Sequence, residues 1–311
     1  MSSYPVLLLM GPTAVGKTAT AIAIAQAVNG EVINVDSAQV FKGMHIGTAK
    51  PTDAERAAVP HHLVDFVCPS EAYSAARFCQ DALNAIQDIQ ARGRTPVLAG
   101  GTMLYFNALV HGLAPLPEAD PDVRAQLEAE AASIGWPAMH RQLAGIDAVA
   151  AERIHPNDPQ RTQRALEVFR ITGKTLTAMQ ADTHSFLTEP FVQFALMPTE
   201  REWLHERIRQ RFMAMLEAGF LDEVRKLKAL GNLSLELPSM RSVGYRQAWQ
   251  HLNGETDYDV FVQQGLAATR QLAKRQMTWV RGMNNVTHLP CNDEHSADDH
   301  CNLVLTHIRY G

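Results

Sequence analysis

Eight consecutive residues constrain this chain more than anything else in it. Gly11-Pro12-Thr13-Ala14-Val15-Gly16-Lys17-Thr18 fits G-x-x-x-x-G-K-[ST] without a mismatch. The apolar run Val6-Leu-Leu-Leu-Met10 precedes it and an alanine-rich helical stretch, Thr18–Val28, follows. That strand–loop–helix context is the one the motif requires. The glycines let the backbone approach phosphate oxygens, and successive N–H groups at a helix N-terminus face the anion. Lys17 adds a full positive charge, and Thr18 carries a hydroxyl able to reach Mg²⁺. The segment Gly11–Thr18 therefore reads as a phosphate or diphosphate cradle. It names an anion, not a reaction, because kinases, ATPases and pyrophosphate-releasing transferases all use it. Gly173-Lys174-Thr175 lacks the upstream glycine and strand and does not read as a second cradle.

The surrounding pattern alternates short apolar runs with helical periodicity. Strands are expected at Val6–Met10, Glu31–Val35, Pro96–Ala99, Phe191–Met197 and Val286–Leu289, and helices at Ala75–Ala91, Thr102–Val110, Thr199–Ala218, Leu221–Leu230, Arg241–Gln250 and Tyr258–Arg281. A last helix is expected to close the chain. Such alternation predicts an α/β fold: a P-loop NTPase-like parallel sheet flanked by helices. The Pro/Gly break Gly112-Leu-Ala-Pro115-Leu-Pro117 opens an Ala/Glu-rich helical stretch. We read residues 1–114 and 190–311 as the core domain and 115–189 as an inserted all-helical domain.

In a parallel sheet, ligands collect beyond the carboxyl ends of the strands. Asp36, after Val32-Ile-Asn-Val35, and Thr102, after Gly100-Gly101, fall at such ends beside the P-loop. Asp36 suits a Mg²⁺ ligand, a proton acceptor for an attacking nucleophile, or a turn-opening residue with Ser37. Ser37, Ala38 and Gln39 follow it, and Ser37 and Gln39 bring short polar groups suited to a base edge. Thr102 suits a diphosphate contact or a helix cap. Lys50 is a further cationic candidate. The adjacent His61 and His62 point to opposite faces of an extended segment and make a poor chelating pair.

The net charge of −5 does not suggest a nucleic-acid binder, but its distribution does. From Arg201 to Arg281 there are 13 Lys and Arg against nine Asp and Glu. Three segments concentrate cations with polar or aromatic residues: Gln160-Arg161-Thr162-Gln163-Arg164, Arg241-Ser242-Val243-Gly244-Tyr245-Arg246, and Lys274-Arg275-Gln276-Met277-Thr278-Trp279-Val280-Arg281. Arg270, Lys274, Thr278 and Arg281 form one stripe at helical spacing. Such stripes suit a phosphate backbone, with aromatics for stacking, although each alone also suits a solvated helix face.

No apolar run approaches the roughly 20 residues of a membrane span, so no membrane is expected. Cys68, Cys79, Cys291 and Cys301 include no C-x-x-C pair, which fits free thiols in a reducing cytoplasm. Cys291, His295, His300 and Cys301 could together offer zinc ligands, but their spacing matches no common finger, and a polar loop before the last helix is the simpler reading.

The blocks GPTAVGKT, DSAQVFKGMHIGTAKP, PHHLVD, GGTMLYFNAL, RIHPNDPQRTQRALE, RSVGYRQ and KRQMTWVR, in this order, resemble the tRNA dimethylallyltransferases, also called tRNA isopentenyltransferases. The bacterial form is the more similar, since the C-terminal zinc-finger spacing of eukaryotic relatives has no counterpart. The resemblance implies transfer of a dimethylallyl group from dimethylallyl diphosphate to N6 of the adenosine 3′ of the anticodon, with Mg²⁺ and loss of diphosphate. It implies that Lys17, Thr18, Asp36 and Thr102 serve catalysis, with Thr18 at the metal. It implies that the three basic segments, Asp36–Gln39, Thr102 and Arg124 contact the tRNA anticodon stem-loop, and that the protein is a monomer. An adenylate isopentenyltransferase and a small-molecule P-loop kinase are the rival readings.

Overall fold

The computed structural model describes residues 4–181, 183 and 185–310. Six strands pair in parallel throughout: β1 (Val6–Met10), β2 (Gly30–Val35), β3 (His61–His62), β4 (Thr95–Gly100), β5 (Phe191–Pro198) and β6 (Val286–Cys291). Their order across the sheet is β3-β2-β4-β1-β5-β6. Every residue of β1, β2 and β4 is buried, as expected of central parallel strands covered on both faces. This is the parallel sheet that the alternating sequence pattern predicts.

Register decides where the loops arrive. Met10 and Val35 both lie opposite Gly100, so the three chains leave the sheet at one edge. Gly11, Asp36 and Gly101 are the next residues in each. The P-loop, the acidic turn and the Gly-Gly-Thr turn thus meet as a consequence of strand pairing.

Helices α1 (Lys17–Ala27), α2 (Asp53–Ala58) and α3 (Ala75–Ala91) connect the first four strands, and α4 (Met103–His111) follows β4. The short α2 was not expected from sequence, although Thr52 and Glu55 form a reciprocal capping box at its start. Leu7 and Leu9 share one core with Ile24 and Ala25 of α1, each fully buried. Burying a leucine side chain contributes about 1.5–3 kcal/mol relative to leaving it exposed.

The chain divides into two compact units. One comprises the residues up to Asn107 and from Leu187 on, and the other runs from Ala108 to Phe186. The second is helical: α5 (Pro121–Ile134), α6 (Trp136–Ile146), α7 (Ala148–Arg153), α8 (Pro159–Thr172) and α9 (Leu176–Gln180). Asp120, Asp147 and Asp158 cap α5, α7 and α8, and proline opens α5 and α8. Leu127, Met139, Leu143 and Leu166 form its core.

After β5 the first unit resumes with α10 (Arg201–Glu217), α11 (Phe220–Ala229), α12 (Tyr245–Leu252) and α13 (Tyr258–Arg281), and α14 (Ala297–Tyr310) follows β6. The helix expected from Arg241 begins only at Tyr245. Gly244, at φ 90°, supplies the break, and Gln247 caps its amide.

Candidate active site

The P-loop is built for an anion. Ala14 (φ 66°) and Gly16 (φ 105°) take left-handed conformations that curl the loop. No side chain caps α1, so its first amides remain available at the positive end of the helix dipole. Lys17 Nζ donates to Pro12 O at 2.6 Å. Burial, reinforced by Arg211 and opposed by Asp36, pushes Lys17 down to about 7.

Asp36 caps its own turn, since Oδ1 accepts from Ala38 N at 2.8 Å and Gln39 N at 3.2 Å. Thr102 Oγ1 accepts from Ser37 N at 3.0 Å, and Thr102 N donates to Val35 O at 3.2 Å. Thr102 therefore ties the Gly-Gly-Thr turn to the Asp36 turn. Gln39 Nε2 donates to Thr48 O and Ala49 O at 3.0 and 3.1 Å, leaving Oε1 as its free polar atom. Lys50 is buried and donates to Phe41 O and Asp65 Oδ1 at 2.7 and 2.6 Å, so this candidate cation is committed to the fold.

Lys17, Thr18, Asp36, Gln39, Thr102, Arg211 and Gln276 line one cavity of about 780 Å³. Two of its arginines were missed from the sequence. Arg207 Nε donates to Ala14 O at 2.9 Å, and Arg211 Nη2 lies 3.5 Å from Thr48 O. They stand four apart on α10 and so share a face. Burial lowers Arg211, with Asp36 opposing and Arg207 reinforcing. Lys17, Arg207, Arg211, Arg241 and Arg275 against Asp36 and Glu55, five cations to two carboxylates, make the cavity an anion site, and Asp36 is the carboxylate that faces Lys17.

Gln276 carries a correction. Sequence places it in an RNA-contacting segment, but it is buried and grips the P-loop, accepting from Thr13 N and donating to Gly101 O, each at 2.8 Å. Val280, Tyr245 and Thr162 are also fully buried, so the expected RNA contact is corrected for these side chains. Burial and the neighbouring Glu223 carboxylate push the Tyr245 phenol up, keeping it a hydrogen-bond donor.

The rest of the basic segments divides in two. Arg241, Ser242, Val243, Gly244, Arg275 and Trp279 line the cavity, and Trp279 is 41% exposed. Lys274, Thr278, Arg281 and Arg246 are exposed but do not line it, whereas Arg270 is half-buried. In the helical unit, Gln160 and Arg161 are exposed, and Gln163 Nε2 donates to Glu128 at 3.1 Å. Arg124 and Arg164 both grip the buried Glu167, at 2.8 and 2.7 Å. Burial pushes the Glu167 carboxyl up, but the hydrogen bonds from the two arginines outweigh it and hold it below the usual range.

His61 and His62 part company: His61 Nδ1 meets Val59 O, and His62 Nε2 meets Glu31. His300 Nε2 donates to Pro290 O at 2.8 Å, which removes that nitrogen as a ligand. Among the described residues, no group of three or more His, Cys, Asp or Glu converges as a metal cage. No helix among them is long and apolar enough to cross a membrane.

A family model described as IPP transferase matches residues 39–283. Solved structures similar to this chain include a full-length tRNA isopentenylpyrophosphate transferase from Bacillus halodurans, at 37% identity and TM-score 0.71, covering 99% of this chain and 97% of that one. A tRNA delta(2)-isopentenylpyrophosphate transferase from Staphylococcus epidermidis matches at 32% identity and TM-score 0.70, covering 99% and 100%. A eukaryotic dimethylallyltransferase acting on tRNA matches at 29% identity and TM-score 0.82, covering 97% and 78%.

Proposed function

The chain belongs to the IPP transferase family, and from that premise we propose that it is a tRNA dimethylallyltransferase acting on N6 of the adenosine immediately 3′ of the anticodon. One observation carries the reading: the cationic P-loop and the Asp36 carboxylate line the same cavity. That pairing suits a donor that leaves as a polyanion and a nucleophile that must lose a proton.

The donor is assigned as dimethylallyl diphosphate. Its allylic carbon can share positive charge with the double bond as the C–O bond breaks, which the isopentenyl isomer cannot do. The diphosphate is assigned to Gly11, Pro12, Ala14, Val15, Gly16, Lys17 and Thr18, with Arg207 and Arg211 opposite. Thr13 shapes the cradle through the bond its amide makes to Gln276. Charge on the departing diphosphate grows along the reaction, so these groups stabilise the transition state more than the ground state.

The target adenine must leave its stack to enter the cavity. Asp36 then accepts a hydrogen bond from N6 and takes its proton as N6 bonds to the allylic carbon. Ser37, Ala38 and Gln39 line the acceptor side, and Thr102 ties that turn to the Gly-Gly-Thr turn.

The donor set fits Mg²⁺. Thr18 lines the cavity and offers a hydroxyl oxygen, and a cation held by few protein ligands completes its shell with diphosphate oxygens and water. Bound there through Thr18, Mg²⁺ would neutralise charge on the diphosphate.

Arg241, Ser242, Val243, Gly244, Arg246, Lys274, Arg275, Met277, Thr278, Trp279 and Arg281 are assigned to the RNA. So, in the helical unit, are Arg124, Gln160, Arg161, Gln163 and Arg164. Free AMP as acceptor would call for none of these. We place the enzyme in the cytoplasm, in keeping with its four free cysteines, and take it to act as a monomer.

The test is nucleoside mapping. Unmodified tRNA treated with the protein, dimethylallyl diphosphate and Mg²⁺ should acquire one N6-dimethylallyladenosine, next to the anticodon. Modification at another nucleotide would overturn the assigned acceptor.

A further inference from the structure

Glu223 lies on α11 and is 9% exposed. Its carboxylate is engaged by uncharged donors. Oε2 accepts from His45 N at 2.8 Å and Ile46 N at 2.7 Å, and Oε1 accepts from Gly47 N at 3.1 Å and from the Tyr245 hydroxyl. Three consecutive main-chain amides are thus held by one buried side chain. Such a carboxylate fixes a backbone more firmly than neutral acceptors do.

The turn it holds leads directly to the acceptor side of the cavity. Thr48 O and Ala49 O, the next carbonyls, take both hydrogens of the Gln39 amide. Thr48 O also lies beside Arg211 Nη2. Aromatic packing locks the same turn, because a Cβ at Gly47 would overlap the rings of Phe220 and Tyr245. These two rings meet edge to face, with centroids 5.1 Å apart.

We propose that Glu223 is a positioning residue for prenyl transfer, holding the 45–49 turn so that Gln39 enters the cavity as a hydrogen-bond acceptor only. Gln39 Oε1 and the Asp36 carboxylate then form an acceptor pair. Such a pair selects a base with an exocyclic amino group over one with a carbonyl in its place, which would be left unpaired and repelled. This inference rests on the proposed function and assigns a cause to its acceptor preference.

A double-mutant cycle tests it. Glu223→Gln keeps the side-chain size but replaces one acceptor oxygen with a donor nitrogen. At saturating donor, this variant should lose about tenfold in kcat while its tRNA Kd stays within about threefold. Gln39→Ala should cause a comparable loss, and the two together no more than Gln39→Ala alone. Losses that multiply would show that Glu223 acts only on the fold and would overturn the proposal. If Glu223→Gln does not fold, Tyr245→Phe, which removes a single donor, enters the same cycle with the same two outcomes. A wild-type protein that transfers nothing to tRNA would instead overturn the functional reading and the proposal with it.

Discussion

Gln276 Oε1 accepts the Thr13 amide at 2.8 Å, and its Nε2 donates to Gly101 O at the same distance. One side chain on α13 thereby joins the P-loop to the turn that carries Thr102. The opposite side of α13 exposes Lys274, Thr278 and Arg281. A helix assigned to RNA on its outer side thus braces the donor site with its inner side.

Gln276→Leu should therefore damage the donor site without touching the RNA face. It leaves a buried amide and carbonyl unpaired, which costs about 1–3 kcal/mol for each such group. Denaturant unfolding should register that loss, and steady-state kinetics a raised donor KM with unchanged tRNA affinity. An unchanged donor KM would show that the bridge is incidental.

Asp36→Asn separates the base from the turn. The Asn Oδ1 can still accept from Ala38 and Gln39, so the loop should persist. Single-turnover transfer should fall by about 10²–10⁴-fold, the usual worth of a general base. The tRNA Kd, measured by filter binding, should change little. A large loss of binding with normal turnover at saturation would remove Asp36 from the proton transfer.

Lys17 predicts a pH dependence of known sign. In the free protein it is lowered to about 7, so above that pH it is largely neutral. A bound polyanion favours the charged form, so the complex holds a proton that the free protein lacks. Affinity for inorganic pyrophosphate should accordingly fall as pH rises through 7 and beyond. Calorimetry at pH 8 in buffers of different ionisation enthalpy should report proton uptake, and Lys17→Met should abolish it. Proton release in the wild type would contradict the assignment.

Lys274→Ala combined with Arg281→Ala should weaken tRNA binding and flatten its dependence on salt. Each lost phosphate contact lowers the log–log slope by about 1. An unchanged slope would mark the two side chains as solvent-facing only.

The sheet and the anion cradle were legible because each rests on local pattern. Buried parallel strands are short apolar runs, and the P-loop is contiguous. The site's second half is tertiary. Arg207 and Arg211 are visible as a pair four apart, but nothing local says that α10 crosses the cavity. The direction of Gln276 was readable in principle, since Ala273, Gln276 and Val280 recur at helical spacing and are all buried. Its place inside a basic motif hid that stripe. The Arg124–Glu167 pair joins residues 43 apart in sequence, so no window along the chain could show it.

Three parallel incubations with Mg²⁺ decide whether the P-loop holds the diphosphate of an isoprenoid destined for tRNA. The first combines dimethylallyl diphosphate labelled in the isoprenoid with unmodified tRNA, the second the same donor with AMP, and the third γ-labelled ATP with tRNA. Label is expected in the tRNA of the first incubation and nowhere else. Label in AMP, or phosphate transfer from ATP with none from the isoprenoid, would contradict it.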